Sequence, residues 1–133
     1  RQALITSARG SAEATGAFLR TFGANAEREL RAAGVVESEI EGFRQGYEAG
    51  GKFRIIGDVC SAQARQFTAC EALFVVLREQ FGRWSDGADK IVFADDAPDA
   101  AVAAYNAASA TINAEIVTLA ELEQKLTGAQ PAK

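Results

Sequence analysis

The chain has 133 residues, 48% of them apolar and 24% charged, with a net charge of −4. That size and balance describe one folded domain with its own core rather than a disordered chain. The acidic excess and the scattered Lys and Arg residues argue against a phosphate-backbone partner, so no nucleic-acid role is expected.

No apolar run approaches the roughly eighteen residues that would cross a bilayer, and no transmembrane segment is expected. Histidine is absent. This removes the commonest general base and the commonest metal ligand, and two cysteines alone make no ordinary zinc site. Neither a GxxxxGK stretch nor a GxGxxG after a strand is present. No metal and no cofactor are expected, and catalysis is the less favoured class. The chain opens on Arg1-Gln2 and contains no methionine, which suggests a processed or trimmed start. Removal of a secretory leader would imply an oxidising compartment.

Abundant alanine and only two prolines, Pro98 and Pro131, favour long helices. A first helix is predicted over residues 1–22, with Gly23 as its stop. Asn25 then caps a short helix to Ala33, ended by Gly34. A third begins at Glu37 or Ser38, turns Ile40, Phe43 and Tyr47 inward, and stops at Gly50-Gly51. Gly42 and Gly46 share one face of it and suit a close crossing. "KFRIIG" reads as a brief strand or an extended linker.

Asp58 is the predicted N-cap of a helix running to about Phe81. Phe67, Cys70, Phe74, Leu77 and Phe81 recur there every three or four residues, the clearest apolar stripe in the chain and an expected buried one. Asp86-Gly87 marks a turn. Ile91, Val92 and Phe93 either pair briefly or plug the end of the bundle. Asp96 is the expected cap of the last helix, with Pro98 and Asp99 in its first turn. That helix should reach about Leu126, roughly 45 Å at 1.5 Å per residue. The expected fold is all-α: an irregular bundle of four or five helices with a long C-terminal helix. One domain spans residues 1–127, and residues 128–133 form a loose tail.

Cys60 and Cys70 pose a geometric question. On one unbroken helix they lie about 15 Å apart along the axis, whereas a disulfide needs roughly 4.4–6.8 Å between α-carbons. An intrachain bridge therefore requires a helix break; free buried thiols, an intermolecular bridge and a reactive or metal-binding role are the competing outcomes. A disulfide would favour a periplasmic or secreted protein; two free cysteines would favour the cytoplasm. Asp95, Asp96 and Asp99 lack the spacing of a calcium loop, and helix capping accounts for Asp96 and Asp99.

By elimination, the expected function is non-catalytic: a partner-binding or accessory protein, exported in this reading, whose partner is another protein or a second copy of itself. Trp84, Arg83 and Tyr105 are the candidate contact residues, since a loop tryptophan either plugs a core or anchors a partner. A second reading is a carrier or sensor of a small apolar ligand, held by Phe43, Phe67, Phe74 and Ile112. A third is a structural oligomer subunit.

Overall fold

The computed structural model describes residues 2–128 of the chain. It contains α1 (Gln2–Ala32), α2 (Glu37–Ala49), α3 (Lys52–Glu79), a hairpin of β1 (Trp84–Asp86) and β2 (Ile91–Phe93), and α4 (Asp99–Thr127). The all-α reading holds, with four helices and a long last one. Of the expected tail, only Gly128 is described, as the C-cap of α4; the rest lies outside the described residues.

One helix of 31 residues replaces the two predicted before Gly34. Gly23 does not stop α1, because its missing side chain serves another purpose. A β-carbon there would come within 2.9 Å of the Tyr47 ring of α2. Glycine is needed for this close approach, and Asn25 simply continues the helix. The true stop is Gly34, at φ +81. Its N–H bonds the Arg31 carbonyl at 3.0 Å, and the Val35 N–H bonds that of Leu30 at 3.0 Å. This left-handed ending satisfies carbonyls that the helix leaves free.

α2 keeps its predicted bounds. The crossing expected at Gly42 and Gly46 is not made, since nothing stands near the β-carbon position of either residue. α3 starts earlier than expected, so "KFRIIG" is helical and Asp58 lies inside the helix rather than capping it. Tertiary contact explains this: Phe53 stacks on Tyr47 at 5.0 Å and on Phe22 at 5.9 Å. α4 starts later, at Asp99, because Pro98 is extended at ψ 133. A residue before proline is also biased away from helix. Asp96 is left as an exposed loop residue 3.9 Å from Arg83.

α1 and α3 run antiparallel. Along their seam Gln2 meets Arg78, Thr6 and Arg9 meet Glu71, and Gly16 faces Cys60. α4 returns along the other flank of α3, tied at mid-length by Arg65 and Glu115. α3 is the shared partner, and α1 and α4 make no comparable contact with each other. The long helices thus form an open layer with α3 in the middle, and α2 lies on the C-terminal half of α1.

The buried positions are mostly small: Ala12, Gly16, Gly57, Cys60, Ala62, Ala69 and Ala108. Among the described residues Ile40 is the one large side chain buried completely. The expected buried stripe is therefore corrected. Phe74 is 41% exposed and Phe81 84%, while Phe67, Cys70 and Leu77 are half-buried. Small residues bring the backbones together, and the larger side chains are displaced to the open face of α3.

Two glycines of α1 should respond oppositely to alanine. Gly10 is exposed with open space around it, so Gly10→Ala should stabilise by about 0.5–1 kcal/mol through helix propensity. Gly23→Ala gains the same propensity but must displace Tyr47, at an overpacking cost of roughly 1–3 kcal/mol, and should be net destabilising. Urea unfolding of both variants checks the pair of signs.

Candidate functional site

Three charged clusters set the helix registers. Arg65 forks onto Glu115 at 2.6 and 2.9 Å. Glu71 takes Arg9 and the Thr6 hydroxyl. Arg44 of α2 forks onto Glu27 of α1 at 2.8 Å to each oxygen and reaches Glu41 at 2.6 Å. Tyr47 adds a 3.2 Å bond to the Leu19 carbonyl, and Arg31 forks onto Glu37 at 3.0 and 2.7 Å, so α2 is clamped to α1 at both ends. These clusters organise packing. Among the described residues no group of three or more His, Cys, Asp or Glu is placed to hold a metal.

The hydrogen bonds of Arg65 hold the Glu115 carboxyl below the ordinary glutamate range, against the opposing effect of burial. Glu27 and Glu37 are lowered in the same way, by Arg44 and Arg31 respectively.

The predicted contact residues sit around the hairpin. Trp84 pairs across the strands with Phe93, and Phe93 meets Tyr105 edge-on at 5.3 Å. The Trp84 indole N–H donates to the Leu77 carbonyl at 2.8 Å. Trp84 and Tyr105 thus share one aromatic group that fastens the hairpin to α3 and α4, while Arg83 is exposed beside it.

α3 passes unbroken through Cys60 and Cys70, and both thiols are free. The intrachain disulfide is not formed, because no helix break brings the two together. Burial pushes the Cys70 thiol up, towards the unreactive form.

The four candidate ligand residues do not enclose a space. Phe43 belongs to an aromatic cluster with Tyr47, at 6.1 Å, over the α1–α2 contact. The other three sit on α3 and α4. A cavity of about 430 Å³ opens instead beside Leu19, Tyr47 and Phe53, with Arg20, Arg54 and Asp58 at its margin. A shallow groove of about 500 Å³ runs between α3 and α4 over Ala64, Ala69, Ala72, Ala104 and Ala107. None of the four lines either space.

The main surface feature is the other side of the layer. At about 100° per residue, Ile56 and Phe74, eighteen residues apart, point the same way. Gln63, Phe67 and Cys70 lie close to that direction, on the side of α3 turned away from Ala72 and Thr68 in the alanine groove. On α4, Ile112 and Ile116 lie on the opposite side of the Ala108–Glu115–Leu122 seam from Ala107 and Thr111. On α1, Phe22 stacks on Phe53 and contacts Phe18 at 5.5 Å, which brings Phe18 and then Leu4 to the same side. Leu4 is 74% exposed, Phe18 59%, Ile116 51% and Ile56 36%. Helical periodicity marks the α3 part of this face, but as core; it also puts Leu4 and Phe18 on the stripe of the first helix and Ile112 and Ile116 on one face of the last, and leaves Ile56 unmarked.

Comparison with protein-family models, with curated proteins and with solved structures returned no match.

The Arg65–Glu115 pair is asymmetric: the Glu115 side chain is 12% exposed and that of Arg65 55%. Arg65→Met strands a buried carboxylate and should cost about 1–3 kcal/mol at neutral pH. Glu115→Gln leaves Arg65 to water and should cost less. The folded Glu115 value lies below the unfolded one of about 4.3, so the unfolded chain binds the extra proton. The pair's stability is therefore complete above that value and lost as pH falls through the lower folded value. The deficit of Arg65→Met should shrink over that window in urea unfolding at neutral and acid pH. A larger loss in Glu115→Gln would contradict the assignment.

Proposed function

We propose that this is a non-catalytic helical docking protein, which holds another protein chain against the large-residue face of its α1–α3–α4 layer. One observation carries the reading: an apolar face on three helices, from Leu4 and Phe18 through Ile56 and Phe74 to Ile116, with each of these side chains over a third exposed. Isolated exposed apolar residues are ordinary, but contiguous patches mark contact surfaces. Tyr105 lies on the same side of α4 as Ile112 and Ile116. The hairpin group of Trp84, Phe93 and Tyr105 thereby closes one end of the face, and Arg83 stands at its rim.

The apolar-carrier reading has less support, since Phe43, Phe67, Phe74 and Ile112 line no common cavity. Free thiols on an unbroken helix also remove the disulfide as a support for export.

A photo-crosslinking phenylalanine analogue at position 74 should give an adduct of one defined mass in the producing cells. The same probe at Thr111, on the opposite side of the layer, should give none. The adduct at 74 should disappear when Ile116→Asp is added. Equal yields at both positions, or no adduct at 74, would sink the docking reading.

A further inference from the structure

We infer that the chain covering this face is a second copy of the same protein, laid across it so that the two α3 helices run antiparallel about a two-fold axis between Gln63 and Phe67. The inference rests on the docking reading and names its partner.

The first support is area. The chain exposes 9072 Å², against roughly 6,700 Å² for a compact monomer of its mass. The six residues outside the described span would supply less than half of that excess even at the roughly 1.45 Å² per dalton of an unfolded chain. What is left exceeds the roughly 800 Å² that each partner gives up in a standard interface. An open three-helix layer has the surplus that a two-layer dimer removes.

The second support is symmetry in the sequence of α3. A two-fold contact is self-complementary: if one residue meets another, the reverse contact also occurs. A two-fold axis at the midpoint of Gln63 and Phe67 sets Gln63 of one copy against Phe67 of the other. The same operation sets Ile56 against Phe74, and Phe53 against Leu77. All six positions lie on or beside the open face, and none carries charge. Cys60 is not required, being turned into the α1 seam.

The third support is charge. Copies with a net charge of −4 repel one another, so a self-contact must lie where acidic groups are few; the paired α3 positions from Phe53 to Leu77 on this face carry no charge, and Lys52 and Arg78 lie at its two ends. A lipid surface would call for a rim rich in Lys and Arg, and this chain has 14 basic against 18 acidic residues.

Sedimentation equilibrium of the purified full chain tests the inference. The wild type should be a dimer at micromolar concentrations. Phe74→Asp and Ile56→Lys should each weaken it by roughly a hundredfold, since each buries an unpaired charge within the contact. The double variant Ile56→Lys/Phe74→Asp should recover much of the loss, because in the antiparallel register each lysine meets the partner's aspartate. Ile116→Asp, on α4, is a second disruptive variant outside α3. Circular dichroism melting of each monomeric variant should show the helices intact. A wild type that stays monomeric overturns the second-copy inference. If the probe at position 74 still captures a different chain, the docking reading survives; without any adduct both fail. A dimer indifferent to Phe74→Asp overturns the choice of face, and a double variant no better than the single ones overturns the antiparallel register.

Discussion

Close approach of α3 to its two flanking helices is the constraint on which the rest of the structure depends. Gly16 lies so near Cys60 that a β-carbon there would stand 3.3 Å from the cysteine's own. Ala62 and Ala69 on α3 and Ala108 on α4 continue the small-residue packing. An alanine buries only a methyl group, and each buried carbon contributes about 0.8 kcal/mol. A seam of this kind must be long to be stable, which fits helices of 28 to 31 residues. It also leaves no room between the helices for phenylalanine. The large side chains go to α2, where Ile40 is enclosed, or to the open face.

Small-residue seams slide easily, because alanine against alanine specifies register poorly. The ion pairs supply what the methyl groups lack. Exposed salt bridges contribute little energy, yet a forked Arg–Glu contact fits only one alignment. Glu71 fixes α1 against α3, Glu115 fixes α4 against α3, and Glu27 fixes α2 against α1. In each cluster the carboxylate is the less exposed partner, with side chains at 12–16% exposure. The arginine stems cover it from outside, as long amphipathic side chains do.

Local chemistry carried the helical class, the bounds of α2 and the length of α4, because these depend on propensity and on glycine pairs at helix ends. It failed where one residue type serves two ends. Gly23 has the same identity whether it stops a helix or admits the Tyr47 ring, and only the position of α2 decides between them. "KFRIIG" is too short to show its own period, and the stacking of Phe53 on Phe22 settles it from thirty residues away. The stripe from Phe67 to Leu77 was visible as a period. Periodicity says that a face is apolar but not what covers it. Three of the four suspected pocket residues, Phe67, Phe74 and Ile112, do share a side of the layer; they make a surface rather than a cavity. Phe43 differs because it travels with α2.

The two sides of the layer divide the work of folding and contact. The seam and its clamps lie among Ala12, Gly16, Cys60, Ala69 and Ala108, and they hold the three helices without help from Phe74 or Ile116. Those residues can therefore vary in their surroundings without loss of the layer. Their burial adds to stability only when another chain is present, and that part of the stability must follow mass action. A core of larger side chains would have folded the helices into a closed bundle and spent the same aromatic residues on the inside. Building the seam from alanine and glycine keeps them outside, on an apolar surface whose helices are already fixed in register. A surface with its backbone already ordered loses less entropy on association than a loop that must first become ordered, so the rigidity imposed by Glu71 and Glu115 also serves the contact.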